Sequence, residues 1–172
     1  ELEQRTEARK WADVAYHFTA ITAIDEAHDK PMATDTINLL GNMHAREASR
    51  LAVAHRFVFA STVYVYSESG SFYRASKQAA ERFIETYHER YGLNYSILRY
   101  GSLYGRRADA RNGIYRMLHE AVGQHSITSH GNGEAIREYI HVQDAARMSV
   151  EVLAPVFANR DLLRPGPERL RT

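Results

Sequence analysis

Phe57-Val-Phe-Ala-Ser-Thr-Val-Tyr-Val-Tyr66, followed after a short polar connector by Tyr73-Arg-Ala-Ser-Lys77, is the stretch on which the reading of this chain turns. The run Phe57-Val-Phe-Ala60 is apolar and rich in β-formers, so it predicts a short buried strand, and it ends in the hydroxyl pair Ser61-Thr62. A helix is expected from Ser76 to Tyr91, with Ala79, Ala80, Phe83, Ile84, Tyr87 and Tyr91 on one face. Gly92 is placed to end it in the left-handed conformation. Tyr73 and Lys77, four residues apart at the entrance to this helix, can share a face. A free tyrosine has a pKa of ~10, too high for a general base at neutral pH. A nearby ammonium favours the phenolate, so Lys77 is expected to lower that value. Thr62 stands where open α/β sheets take their ligands, at the carboxyl end of a strand.

Outward from this centre, elements alternate. Asp13 to Ala20 reads as a mostly buried strand, and Asp25 to Pro31 as a loop. Thr34 to about Ala54 has helical spacing, and Gly41 within it, at a propensity cost of ~1 kcal/mol, is expected to mark close packing. Asn94 to Tyr100 is the next strand. Strand, helix, strand, helix, strand predicts a parallel sheet with helices on its faces. Beyond Gly105 a polar connector, Arg106 to Asn112, leads to a helix from Ile114 to Val122. A strand around Ile127, a Gly131-Asn-Gly133 turn, a strand from Glu138 to Val142, and a helix from Ala145 to Leu153 N-capped by Asp144 complete the pattern. Glu1 to Trp11 is helix-prone, and the tail from Asn159 has no period.

Composition removes several classes of function. The 172 residues carry 22 basic and 21 acidic side chains, a net charge of +1, which gives no electrostatic case for nucleic acid or an anionic membrane. No apolar run approaches the ~20 residues of a membrane span. Cysteine is absent, so disulfides and thiolate zinc sites are excluded. The cytoplasm is the expected compartment. Nine histidines raise the question of a metal, but His125 and His130 fall in different elements and no H-E-x-x-H pattern occurs, so none is expected. His17, on the first strand, reads as a satisfied core histidine. Of the basic residues 19 are Arg and only Lys10, Lys30 and Lys77 are Lys, which makes a lysine in the central motif conspicuous.

From Asp13 to Leu153 the chain resembles the extended short-chain dehydrogenase/reductase family, the sugar-nucleotide epimerases and dehydratases. Asp13-Val-Ala-Tyr-His-Phe-Thr-Ala20 is similar to its "DVVxHLAA" strand, and Asn38-Leu-Leu-Gly41 to its N-x-x-G helix. Phe57 to Tyr66 resembles "FVFxSSxxVYG", Tyr73 and Lys77 fall on its Tyr-x3-Lys, and Leu98-Arg-Tyr-Gly-Ser-Leu-Tyr-Gly105 is similar to "LRxxNVYG". Gly131 to Asp144 resembles "GxGxxxRxFIHVxD".

The resemblance implies a Rossmann-like, doubly wound parallel sheet with part of a small substrate-binding domain. It places an NAD(P)-binding core at residues 1–105 and a partial substrate-binding region at 106–172. It implies NAD as cofactor, with NADP not excluded, held by Phe18, Thr19, Ala20, Asn38, Ser61, Tyr73, Lys77 and Tyr100. Thr62, Tyr73 and Lys77 would be catalytic, with Thr62, Ser102 and Arg137 on a nucleotide-sugar, expected to be a UDP-sugar; a planar guanidinium suits a diphosphate. Dehydratases of the family carry Asp-Glu directly after the catalytic Thr; here Val63 and Tyr64 stand there, so epimerisation is favoured over dehydration. An NAD(P)-dependent sugar or alcohol dehydrogenase, and a non-catalytic NAD(P)-binding regulator, remain alternatives. A homodimer is expected.

Departures from the pattern matter equally. No Gly-rich phosphate turn occurs, so the first strand, that turn, the first helix and the second strand are expected to precede Glu1 in a longer natural chain. Ser102 replaces the Asn of "LRxxNVYG", the connector from Thr62 to Tyr73 is short, and the tail after Pro155 does not match the family's next strand.

Overall fold

A computed structural model describes residues 13–128, 132, 136–154 and 160–162. Its strands are β1 (Val14–His17), β2 (Arg56–Thr62), β3 (Tyr95–Tyr100), β4 (Ser102–Tyr104), β5 (Tyr139–His141) and β6 (Arg160–Leu162). Its helices are α1 (Ile24–Asp29), α2 (Pro31–Thr34), α3 (Gly41–Leu51), α4 (Ser71–Tyr91), α5 (Gly113–Gln124) and α6 (Val142–Glu151). The chain divides into two compact units, one running to Arg99 and resumed at Val152, the other Tyr100–Glu151.

The first unit is built on a four-stranded sheet in the order β1-β2-β3-β6. β1 runs parallel to β2, with His17 opposite Phe59, and β6 runs parallel to β3, with Asp161 opposite Ile97. This is the expected α/β architecture with parallel pairing. β2 and β3 are buried along nearly their whole length, as strands covered on both faces must be. β1, at the sheet edge among the described residues, alternates instead: Ala15 and His17 point inward and Tyr16 is half exposed. Phe57, Phe59, Ile97, Ala80, Ile84 and Tyr95 form the core between sheet and helices. Burial of one such large side chain contributes roughly 1.5–3 kcal/mol.

Several elements differ from expectation for identifiable reasons. α1 forms where a loop was expected: Asp25 and Glu26 complement its amino end, His28 its carboxyl end, and Ala27 is fully buried. Pro31 begins α2 at its first position, where a missing N–H costs nothing, so helical structure starts ahead of Thr34 and stops at Leu51. Between α2 and α3 the chain makes a π-helical turn over Asp35–Leu40, which no apolar period reports. Gly41 is not a point of close packing, because a Cβ there would meet only the Thr36 carbonyl at 3.7 Å.

α4 begins at Ser71, five residues ahead of Ser76, and so includes Tyr73. Its apolar face is divided: Ala80 and Ile84 enter the core, while Phe83 and Tyr91 face outward beneath the guanidinium groups of Arg46 and Arg50. Gly92 does end the helix at φ 70°, ψ 14°.

In the second unit β4 pairs parallel with β5, setting Leu103 opposite Ile140. Neither the length of β4 nor its composition marks it as a strand, and Gly101 permits the pairing because a Cβ there would lie 2.5 Å from the Glu138 carbonyl oxygen. Asn112 caps α5 by accepting the Tyr115 N–H. Residues 126–128 hold no strand, and Asp144 lies inside the first turn of α6, paired with Arg147, rather than at its N-cap. The expected helix at Glu1 to Trp11 and most of the Gly131-Asn-Gly133 turn lie outside the described residues.

Two glycines therefore predict opposite outcomes. Gly41→Ala should stabilise the first unit by up to ~1 kcal/mol, since the position is helical and open. Gly92→Ala should destabilise it by about 1–2 kcal/mol, the cost of a Cβ in the left-handed region. Urea unfolding of the two variants against the parent chain measures both.

Candidate active site

The carboxyl end of β2 and the first turns of α4 converge on three side chains. Thr62 ends β2 and is buried, its Oγ1 accepting the Tyr64 N–H at 3.3 Å where the chain bends into a 3-10 turn over Val63–Tyr66. Tyr73 lies in the first turn of α4, 8% exposed, with the Thr62 side chain close enough to its phenol to affect its titration. Lys77, one turn on, is 3% exposed; its Nζ donates to the Ala60 carbonyl at 2.7 Å. The ammonium stands 4.7 Å from the centroid of the Phe59 ring and 5.8 Å from that of Tyr73. Spacing on one helix and strand register thus bring Thr62, Tyr73 and Lys77 together.

Burial decides how these groups titrate. Loss of water pulls Lys77 down to about 8, and the negative charge of Glu81 opposes that fall. Tyr73 moves upward, not downward: burial is the largest cause, the Thr62 side chain pulls the other way, and Tyr64 adds to the rise. The expected lowering of Tyr73 by Lys77 is therefore corrected. An ammonium so poorly solvated does not outweigh the desolvation of the phenol, which is neutral at pH 7 in these surroundings.

Other expected site residues divide between supports and surface. Asn38, 2% exposed on the π-helical turn, accepts the Ile21 N–H at 2.7 Å and donates to the Ile21 carbonyl at 3.0 Å and to Ser76 Oγ at 3.1 Å. It joins the segment after β1 to the part of α4 between Tyr73 and Lys77. Phe18 and Thr19 in that segment are exposed and Ala20 is half-buried. The Ser61 hydroxyl donates to the Glu81 carboxylate. In the second unit Tyr100 hydrogen-bonds to Ser149, the Ser102 N–H donates to the Glu138 carbonyl at 2.7 Å, and Arg137 is exposed just ahead of β5. His17 stacks on Phe57 and Phe59, as a core histidine. Among the described residues no group of His, Asp and Glu has the makings of a metal site.

Sequence reasoning misses the group beneath Lys77. Glu81 accepts two hydrogen bonds from Arg99, from Nε at 3.0 Å and from the outer nitrogen at 2.7 Å, with both side chains only 7% exposed. Arg99 also donates to the Tyr66 hydroxyl and lies over its ring. Breaking one partner from such a pair costs about 3–5 kcal/mol, because a charge is left buried and uncompensated. Two signals point to it: Glu81 follows Lys77 at i+4, and Arg99 interrupts an otherwise apolar buried strand.

Residues 3–161 match the NAD dependent epimerase/dehydratase family. The chain belongs to that family. It is 28% identical over 160 residues to a UDP-glucose 4-epimerase of Mycolicibacterium smegmatis, covering 83% of this chain and 51% of that protein. It is 25% identical over 154 residues to the human dTDP-D-glucose 4,6-dehydratase, covering 82% and 44%. In fold it resembles the UDP-glucose 4-epimerase of Thermus thermophilus, solved with NAD, at a TM-score of 0.78 and 24% identity, over 90% of this chain and 58% of that one. The chain spans about half the length of the curated relatives it matches.

A buried lysine that titrates near 8 is directly observable, because the chain holds only three lysines. Carbon-13 NMR of lysine-labelled protein should show one Nζ midpoint near 8. Since this lies below the unfolded value of 10.5, charged Lys77 costs the fold stability below about pH 8, and the cost fades as the pH rises further. Three lysine midpoints all above about pH 9.5, the range of ordinary solvated amines, would contradict the burial of this ammonium.

Proposed function

We propose that the chain belongs to an NAD-dependent nucleotide-sugar 4-epimerase acting on a UDP-sugar. The convergence of Thr62, Tyr73 and Lys77 at the carboxyl end of a parallel strand carries this reading. On this reading residues 1–105 hold the cofactor and residues 106–172 contribute to the substrate-binding region. Family membership supports enzymatic chemistry, and the epimerases among its relatives support the reaction.

The residues present fit a nicotinamide cofactor. Among the described residues Lys77 has one hydrogen bond, to Ala60, while an ammonium donates three, which leaves donors suited to ribose hydroxyls. Phe18, Thr19 and Ala20 lie beyond the end of β1, adjacent to β2, and Asn38 and Ser61 brace that end of the sheet. Tyr100 completes the proposed cofactor contacts. When bound, NAD supplies a hydride acceptor that later returns the hydride.

All other tasks fall to the chain. Thr62 orients the sugar hydroxyl; Tyr73, once ionised beside the Lys77 ammonium, takes the hydroxyl proton at Oη and gives it back on re-reduction. Because burial favours the neutral phenol, Tyr73 needs the positive charge of Lys77 to act as a base. Activity should accordingly decline above about pH 8, as Lys77 loses its proton. Ser102 and Arg137 are the proposed substrate contacts, the latter for the diphosphate. Val63 and Tyr64, in the 3-10 turn after Thr62, supply no carboxyl for water elimination, which favours epimerisation over the dehydratase reaction of other relatives. No helix of the described residues is long and apolar enough to cross a membrane, and we place the protein in the cytoplasm.

With NAD present, UDP-sugars should yield a C4 isomer with no net NADH, and Tyr73→Phe should lower that rate by about 10²–10⁴. Accumulating NADH would mark a dehydrogenase instead. A rate unchanged in Tyr73→Phe would remove the catalytic reading.

A homodimer is the proposed assembly, supported by the outward face of α3 and α4, where Leu51, Phe83 and Tyr91 are exposed. Sedimentation should show a dimer that Leu51→Glu converts to a monomer. A parent chain that is monomeric at micromolar concentration would exclude it.

A further inference from the structure

Outside the three convergent side chains, the most constrained polar cluster is the one built by Ser61, Tyr66, Glu81 and Arg99. Its geometry is more than structural. Glu81 sits one helical turn beyond Lys77, on the face that Tyr73 and Lys77 share. Its carboxylate receives Ser61 from the end of β2 and both donors of Arg99 from β3. Ser61 lies between Ala60, whose carbonyl holds the Lys77 ammonium, and Thr62, beside Tyr73. One carboxylate is therefore linked, through the Ser61 hydroxyl, to the segment whose Ala60 carbonyl holds Lys77 and whose next residue is Thr62.

We propose that Glu81 is a positioning residue for Lys77 and Thr62: its ion pair with Arg99 and its hydrogen bond from Ser61 fix the end of β2 and set a buried carboxylate one helical turn from the ammonium. The inference rests on the proposed catalytic role of Lys77, and extends that role to a group that never meets substrate or cofactor. Among the described residues, the titratable and charged groups on the elements around Lys77 are few. Tyr73 and Glu81 come from its own helix, Tyr64 and Tyr66 from the 3-10 turn, Arg99 from β3, and His17 from β1, which stacks on the Phe59 ring. Of these, Glu81 is the one that favours the ammonium directly; burial works against it. Arg99, engaged through its nitrogens with Glu81 and Tyr66, is the buried counter-charge of that carboxylate.

The test follows the Lys77 resonance in the full chain, so it needs no turnover. Glu81→Gln keeps the size and the hydrogen-bonding capacity of the side chain but removes the charge. The Lys77 midpoint should fall by at least about half a unit, roughly a threefold or greater loss of proton affinity. Ser61→Ala removes one hydrogen bond and no charge, so the Lys77 midpoint should stay in place. Because Glu81→Gln removes the counter-charge of Arg99 and can prevent folding, the double variant Glu81→Gln/Arg99→Gln is the companion: a neutral, hydrogen-bonding pair in the same place should give the same downward shift.

A folded Glu81→Gln or double variant with an unmoved Lys77 midpoint overturns the proposal. If the midpoint moves and the upper limb of the epimerase pH profile moves down with it, both the proposal and the catalytic reading stand. If the midpoint moves while the parent chain and the variants lack epimerase activity, the coupling of Glu81 to Lys77 stands and the functional reading fails.

Discussion

An ammonium removed from water sets the terms for most of the first unit. Lys77 loses its hydration on α4 and recovers one carbonyl, two aromatic faces and the field of one carboxylate. That carboxylate is itself buried, and a lone buried anion is as costly as a lone buried cation. Hence Arg99 on β3, which answers Glu81 with two hydrogen bonds and brings Tyr66 with it. Each buried charge obliges the next. The sequence of obligations runs from helix to strand to turn and ties β2 and β3, neighbours in the sheet, to the seat of the site.

What local pattern can carry is visible in the amino acids. β2, β3 and the body of α4 announce themselves by apolar runs and by a helical stripe closed by Gly92, and Tyr73 and Lys77 by their spacing. What escapes depends on distant partners or on very short elements. Three-residue strands such as β4 and β6 have no room for a period. α1 is stabilised by burial of Ala27 and by end charges rather than by any apolar repeat. The pair Glu81 and Arg99, eighteen residues apart, exists only once β3 lies beside β2. The direction in which Tyr73 moves escapes for a related reason. Proximity of a cation is legible as i+4 spacing, whereas the loss of water around the phenol comes from the whole fold.

Membership in the epimerase/dehydratase family narrows the chemistry, and the turn after Thr62 narrows it again. Dehydratases and epimerases share the oxidative step that a hydride carrier makes possible, and differ in whether an acid and a base stand by to remove water. The 3-10 turn over Val63–Tyr66 offers an aliphatic and a phenolic side chain in that place. On the proposed epimerase reading, those two residues of a turn separate the reaction types, while the convergent hydroxyl, phenol and amine are common ground.

The π-helical turn over Asp35–Leu40 has a further meaning. Such a turn holds one residue more than the α-helix it interrupts. Each residue advances an α-helix by about 100°, so one added residue rotates everything on one side of it relative to the other. Asn38 lies within that turn and grips both the segment after β1 and Ser76 on α4. A length change of a single residue here would leave α3 able to pack while swinging the amide away from Ile21 and Ser76. The phase of this helix, more than its composition, is what keeps the amide in reach of both partners.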